Sequence, residues 1–200
     1  MGSASEIQLQ EVNVMIYVDN AATTALKPEV LTKMMPFLTD KYGNPSSIYR
    51  LGREAKTAIE DARGEIAGAI GAKTSEVYFT GSGSEADNWA IKGVAEAAGG
   101  KHIITTAIEH HAVLHCFEYL ERRGFNVTYL PVDGNGIVNP DDLKAAITDD
   151  TSLISIMTAN NEIGVIQPIA ELTAIAKKNK IPFHTDAVQA FGHIPLNVNE

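Results

Sequence analysis

The sequence has a single cysteine, Cys116, so no disulfide can form within its 200 residues. Free cysteines are typical of proteins in a reducing compartment, and we expect a cytoplasmic location. Positive charge is also scarce, because 16 lysines and arginines are outnumbered by 25 aspartates and glutamates. We therefore expect no nucleic-acid partner, since a surface that binds nucleic acid requires clustered basic residues.

Long apolar runs are absent as well. No stretch approaches the roughly 20 apolar residues that cross a membrane, and we expect no membrane association. Residues 1–14, MGSASEIQLQEVNV, lack the charged and apolar regions of a signal peptide, and we interpret them as a flexible arm or tag remnant. The remainder, 15–200, is long enough to bury one core, and a hydrophobic fraction of 44% is ordinary for a globular protein.

Apolar runs alternate with helical patterns along the chain. Strands are predicted at 76–80, 102–106, 126–132, 152–158 and 181–185. Apolar residues recur at spacings of three and four from Ile48 to Ile70, which predicts a helix that Gly71 closes. Pro140 and Pro168 are predicted to open two further helices. Repeated strand–helix–strand units predict an α/β fold with a mostly parallel sheet covered by helices.

Polar segments follow four of these strands, where parallel sheets bind ligands. The first is TGSGSEADN, from residue 80. Gly81 and Gly83 allow close backbone approach, Ser82 and Ser84 add hydroxyls, and a following helix N-terminus attracts anions. A serine-capped helix would need fewer of these residues, so we favour phosphate binding.

The same segment admits a second interpretation. Gly81-x-Gly83-x-x-Ala86 satisfies the relaxed dinucleotide fingerprint, and Glu109 follows at about the spacing of the acid that binds a ribose. A nicotinamide-dependent dehydrogenase therefore remains an alternative from this segment alone.

Three of the six histidines lie in AIEHHAVLHC, 107–116. His111 and His115 would share a helix face, which permits a metal site, but the H-E-x-x-H arrangement is missing and we predict no metal. His110 lies where strand gives way to helix, and a flat imidazole there could stack on an aromatic cofactor and shuttle protons. We interpret Cys116 as a core thiol.

The third segment, TANNEIG at 158–164, leaves two interpretations open. Asn160 and Asn161 could build a turn that Gly164 completes, or an asparagine could donate to an anionic oxygen of a ligand. The sequence favours neither.

The fourth segment places Asp186 and Gln189 after an apolar strand. Asp186 could cap the turn that follows, or it could pair with a permanent positive charge, since a buried ionised acid is costly without a partner. A phosphate site, an imidazole, amides and a buried acid together match the groups of pyridoxal 5′-phosphate. An acid beside the pyridine nitrogen keeps that ring protonated, so it can act as an electron sink.

Six segments carry a more specific resemblance. They are YVDNAATT (17–24), YGNPSS (42–47), GSEADNWAIKG (83–93), HIITTAIEHHAVL (102–114), NNEIGVIQPI (160–169) and HTDAVQAFGHIPL (184–196). From Ile16 to Glu200 the chain resembles the cysteine desulfurases of the class V aminotransferase group, which are fold type I pyridoxal-phosphate enzymes.

The resemblance implies roles for six residues. The phosphate end would be bound by Gly83 and Ser84, the ring covered by His110, the phenolic oxygen contacted by Asn161 and Gln189, and the pyridine nitrogen paired with Asp186. The family more often has threonine at position 84 and the reverse order at 81–82. A serine at 84 keeps the hydroxyl.

The resemblance also implies an activity and a domain assignment. Residues 15–200 would be the N-terminal portion of the large cofactor-binding domain. The Schiff-base lysine, the catalytic cysteine and the arginine that binds the substrate carboxylate are expected beyond Glu200. The complete enzyme would remove sulfur from L-cysteine, leaving alanine and an enzyme persulfide, and pass the sulfur to an acceptor such as an iron–sulfur scaffold protein.

Several expectations remain open beside this one. A homodimer is implied for the complete enzyme, whereas these 200 residues alone are expected to be poorly stable or oligomeric, to bind pyridoxal phosphate weakly and to be inactive. Alternatives are a selenocysteine lyase, another class V aminotransferase, or a non-catalytic truncated partner of a complete enzyme.

Overall fold

A four-stranded parallel sheet lies at the centre of the protein, as described by a computed structural model for residues 15–200. The strands are β1 (His102–Thr106), β2 (Asn126–Leu130), β3 (Thr151–Ser155) and β4 (Phe183–His184), in the spatial order β2-β1-β3-β4. All three strand pairs are parallel, which confirms the predicted α/β sheet. The interpretation of 1–14 as an arm lies outside the described residues.

Among residues 15–200, six α-helices surround or precede this sheet. They are α1 (Pro28–Thr39), α2 (Arg50–Ile70), α3 (Gly83–Ala97), α4 (His111–Arg122), α5 (Pro140–Ala146) and α6 (Ile169–Lys178). As predicted, α2 ends at Gly71, which has a φ of 69°, a left-handed conformation that glycine adopts at little cost. Pro140 opens α5 as its first residue, and Pro168 immediately precedes α6 as its N-cap.

Both faces of the sheet are covered, because neighbouring strand residues point to opposite sides. Ile103 of β1 and Leu153 of β3 pack with buried residues of α3 and α4, including Phe117. The next residues along each strand, Ile104 and Ile154, pack on the other side with residues of α5 and α6. This double burial explains why the strands appear in the sequence as continuous apolar runs.

The predicted strand at 76–80 is wrong. Val77 has extended backbone angles, φ −100° and ψ 127°, but no ladder partner among residues 15–200. A strand requires hydrogen bonds from a neighbour as well as a suitable sequence. Instead, Arg63 donates to the Val77 carbonyl oxygen, while Tyr78 and Phe79 remain exposed.

The predicted ends of other strands also differ from the structure. β2 stops at Leu130 because Pro131, which follows, has no N–H to donate, although Val132 forms an isolated bridge with Val138. β3 ends as a regular strand at Ser155, yet the Thr158 N–H still donates to the Asp186 carbonyl oxygen at 2.9 Å. The segments after β3 and β4 therefore continue side by side beyond the sheet.

The first described helix contrasts with the sheet. No residue of α1 is buried, and its apolar side chains include the exposed Leu31, Met34, Met35 and Leu38. Among residues 15–200, no helix combines the length and apolar character needed to cross a membrane.

Candidate cofactor site

The segments that follow β1, β3 and β4 are linked at the carboxyl edge of the sheet. The Asn160 side-chain amide donates to the Ile108 carbonyl oxygen at 2.8 Å. The hydroxyls of Thr158 and Thr185 are hydrogen-bonded at 2.7 Å. The predicted ligand-binding segments are thus brought together here, as the parallel-sheet rule requires.

Helix α3 begins at this edge with a reciprocal cap. Ser82 Oγ accepts a hydrogen bond from Glu85 N at 3.1 Å, and the Glu85 carboxylate accepts one from Gly81 N at 2.6 Å. Ser82 and Glu85 therefore account for the capping. The main-chain N–H groups of Gly83 and Ser84 remain in the first turn, where a helix provides no internal acceptors.

The start of α3 also lies beside the segment that contains Asp186. A Cβ atom built on Gly83 would meet Val188 Cγ2 at 3.4 Å, so these two segments are neighbours. Ser84 is exposed on the same first turn. The helix start with the predicted phosphate residues therefore lies beside the segment that carries the predicted ring-nitrogen partner.

His110 is the N-cap of α4 and is exposed at the rim of the site. Its Nδ1 accepts a hydrogen bond from Ala112 N at 3.2 Å, which assigns the proton of the neutral ring to Nε2. The neighbouring rings of His111 and His115 stack on each other, with centroids 5.7 Å apart, and leave His110 as the imidazole at the strand end.

The two asparagines after β3 have different surroundings. Asn160 is buried, and its Oδ1 accepts from Glu162 N at 2.8 Å and from Ile163 N at 3.0 Å. It therefore builds the turn. Asn161 is half-buried, and both asparagines line a cavity, so the role of Asn161 toward a ligand stays a prediction.

That cavity, of about 290 Å³, combines three parts of the chain. Asn161 comes from the segment after β3, Gln189 and His193 from the segment after β4, and Ala21 from the N-terminal DNAATT segment. The Gln189 side-chain amide donates to the Ala21 carbonyl oxygen at 3.1 Å. Sequence reasoning missed His193, since only tertiary structure brings it to the cavity.

Asp186 is only 9% exposed. Its Oδ1 accepts a hydrogen bond from Val188 N at 3.0 Å, so it does cap the following turn. Within the described part of the chain, however, no lysine, arginine or histidine nitrogen lies within 4.0 Å of its carboxylate. One main-chain hydrogen bond is little compensation for a carboxylate at this depth.

Two further acids that sequence reasoning did not place in the site lie near this edge, and Glu109 is close enough to both Asp186 and Asp87 to be affected by their charges. Burial raises the pKa of Glu109 to about 7, hydrogen bonds from Thr106 and Met157 N oppose this, and the charges of Asp186 and Asp87 raise it further. Asp87 Oδ1 lies 3.5 Å from His184 Nε2. Glu109 therefore has Asp186 and Asp87 as acidic neighbours, and His184 lies beside Asp87.

The residues at this edge fit pyridoxal phosphate. The start of α3 offers main-chain N–H groups and a serine hydroxyl to a phosphate. Asp186 is buried, and no basic nitrogen of residues 15–200 lies within 4.0 Å of its carboxylate, which suits a protonated pyridine nitrogen. Asn161 and Gln189 supply amides at the cavity between them, and His110 supplies a ring at the rim.

Comparison with known proteins shows the family of the chain. The model of the family described as aminotransferase class-V matches residues 16–200. The chain is 59% identical over 190 residues to the cysteine desulfurase IscS of Methanosarcina thermophila, and 62% identical over 187 residues to that of Dictyoglomus turgidum. These alignments cover 94% and 92% of this chain and 47% and 48% of the two relatives.

Solved structures of similar proteins have the same fold. A NifS-like protein superposes with a TM-score of 0.90 at 44% identity, over 94% of this chain and 52% of the other. A structure described as SspA in complex with cysteine superposes with a TM-score of 0.89 at 40% identity, over 92% of this chain and 53% of the other. The chain spans about half the length of the relatives it matches.

Proposed function

We propose that this chain, which belongs to the class-V aminotransferase family, binds pyridoxal 5′-phosphate and provides the cofactor site of a cysteine desulfurase. The observation that carries the proposal is Asp186, a carboxylate 9% exposed with no protein cation within 4.0 Å among the described residues. A cationic ring is the partner that this carboxylate lacks. We infer the reaction from the relatives, which are named cysteine desulfurase.

Each predicted site residue has a defined task in this proposal. The N–H groups of Gly83 and Ser84 hold the phosphate, and Asp186 holds the proton of the pyridine nitrogen. The bound cofactor supplies an electron sink that stabilises negative charge at the substrate α-carbon, after which the carbon–sulfur bond can be broken. Asn161 and Gln189 orient the phenolic oxygen through their amides.

His110 combines positioning with proton transfer. Its Nδ1 is held by the Ala112 N–H at 3.2 Å, which fixes the ring plane and leaves Nε2 directed away from the helix start. A ring fixed in this way can cover one face of the cofactor. Its Nε2 can exchange a proton with a group on the substrate.

The overall reaction releases alanine and transfers the substrate sulfur to a protein thiolate as a persulfide. Cys116 is not that thiol, because it is 1% exposed in α4 and burial raises its pKa. A sulfur acceptor such as an iron–sulfur scaffold, a homodimeric assembly and a cytoplasmic location complete the proposal.

The test is an assay of the intact protein with pyridoxal phosphate and L-cysteine. We expect sulfide, measured under reducing conditions, and alanine in equal amounts. Turnover of selenocysteine without turnover of cysteine would indicate a selenocysteine lyase, and amino transfer to a keto acid would indicate an aminotransferase. Absence of all three activities in cofactor-loaded protein would favour a non-catalytic partner.

The dehydrogenase alternative has little support. Its fingerprint needs a strand before Gly81, and residues 77–80 form none in the described chain. Glu109, the acid in that interpretation, is buried, and its Oε1 already accepts from Thr106 and Met157.

A further inference from the structure

Glu109 has an environment that the proposed roles above do not explain. Its Oε1 accepts a hydrogen bond from Thr106 Oγ1 at 2.7 Å and another from Met157 N at 2.9 Å. These bonds connect the end of β1 to the segment after β3. The other oxygen, Oε2, is fully buried and has no hydrogen-bond partner among the described residues.

A buried carboxylate oxygen without a hydrogen-bond partner destabilises the folded protein. An amide or an apolar side chain at position 109 would avoid burying this charge. Glutamine would keep both hydrogen bonds to the carboxamide oxygen, and apolar residues would fill the space. What glutamate alone adds is a proton that can be bound or lost at Oε2. The geometry therefore points to proton binding as the reason for this side chain.

The groups around Glu109 determine when that proton is bound. Asp87 contributes a carboxylate from α3, and Asp186 contributes one from the segment after β4. His184 of β4 contacts Asp87, whereas the segment after β3 contributes the uncharged Met157 N–H. Two negative neighbours favour the neutral acid, and a positive charge arriving at Asp186 would favour the anion.

We propose that Glu109 is a positioning residue that, around neutral pH, holds a proton near Asp186 in part of the cofactor-free protein and loses it to solvent when a protonated pyridine ring binds to Asp186. Glu109 thus supplies a second negative charge near the ring, and it is ionised more completely once the ring is in place. This inference rests on the proposed function, because the ring is that of pyridoxal phosphate.

The proposal has a pH signature that a purely structural role lacks. Because the pKa of Glu109 is about 7, the side chain is mostly neutral at pH 5.5 and mostly ionised at pH 8.5. The ionised form attracts the cationic ring, so binding should gain from Glu109 only at the higher pH. A change that merely disturbs packing would alter affinity by a similar factor at both pH values.

The experiment measures the dissociation constant of pyridoxal phosphate for the intact protein and its Glu109→Gln variant from pH 5.5 to 8.5. We expect equal affinities at pH 5.5, within about twofold, and weaker binding by the variant at pH 8.5, by several-fold to about tenfold. Glu162→Gln removes the same charge from an exposed residue and should match the wild type throughout.

A second variant covers the case in which Glu109→Gln does not fold. Thr106→Val keeps the shape of the side chain but removes a hydrogen bond that lowers the pKa of Glu109. The rise in affinity with pH should then occur at higher pH than in the wild type. An unchanged profile would contradict the proposal.

The outcomes separate this inference from the function on which it rests. If the wild-type protein binds no pyridoxal phosphate at any pH, the proposed function fails. If it binds the cofactor but the ratio of the two dissociation constants does not depend on pH, Glu109 has only a structural role and this inference fails alone.

Discussion

Glu109 and Asp186 are both buried acids at the carboxyl edge of the sheet, but their surroundings differ. Asp186 accepts one main-chain hydrogen bond, and Glu109 accepts two through a single oxygen. Burial raises the pKa of Glu109 to about 7. A site with one carboxyl group that titrates near neutrality changes its charge within the physiological pH range.

This titration predicts a pH-dependent stability. A carboxyl group with a raised pKa in the folded state favours folding below its unfolded pKa of 4.5, and this contribution is lost as pH rises through about 7. Without cofactor, Glu109→Gln should therefore match the wild type at pH 4 and exceed its free energy of unfolding by roughly 3 kcal/mol at pH 8. Urea unfolding at the two pH values tests this. Equal stability changes at both would exclude a buried titrating carboxyl group.

At the level of secondary structure, two serines at the start of α3 differ in their contacts. Ser82 caps the helix through its hydrogen bond with Glu85 N, whereas Ser84 lies exposed in the first turn. The sequence alone predicted a helix start with more hydroxyls than capping requires. Because the Ser84 hydroxyl is not used in the cap, we propose that it is the one that contacts a ligand.

The two serines should therefore respond differently to alanine. Ser82→Ala is expected to lower the free energy of unfolding by about 1 kcal/mol, the typical value of an N-cap. Ser84→Ala should leave stability unchanged but weaken binding of pyridoxal phosphate to the intact protein. Thermal unfolding and cofactor titration of both variants, with Ser75→Ala as the exposed control, would detect the difference. Equal effects of Ser82→Ala and Ser84→Ala on both measurements would refute this division.

How far the sequence predicts these elements depends on whether the deciding contacts are local. β1 and β3 were predictable because burial on both faces leaves a continuous apolar run, and α2 because burial of one stripe leaves apolar residues at spacings of three and four. Residues 76–80 have the composition of a strand, but a ladder partner is a non-local requirement. Likewise, Asp186 and Gln189 were found from their position after a strand, whereas Asp87 and the buried state of Glu109 depend on how α3 packs against the sheet.

For the whole molecule, the main feature outside the site is the apolar surface around α1. Leu31 and Met35 are 46% and 45% exposed and lie one helical turn apart. Large exposed apolar surfaces favour association. The expectation that these 200 residues associate when isolated is consistent with this surface and remains a prediction.

Light scattering after size exclusion tests that expectation. The isolated 200-residue chain should show a mass that rises with concentration, and the double variant Leu31→Lys and Met35→Lys should reduce the association. Lysines at the exposed polar positions Thr74 and Ser75 serve as the control. A monomer at all concentrations, or equal effects of the two double variants, would contradict a role for α1.

The central claim is that this edge of the sheet binds pyridoxal phosphate through the buried charge of Asp186. The most direct measurement is a titration of the intact protein with the cofactor, followed by absorbance, for wild type, Asp186→Asn and the exposed control Asp149→Asn. We predict one cofactor per chain for wild type and control, and affinity at least ~30-fold weaker for Asp186→Asn, about 2 kcal/mol. Failure of the wild type to bind, or equal affinities for the two variants, would contradict it.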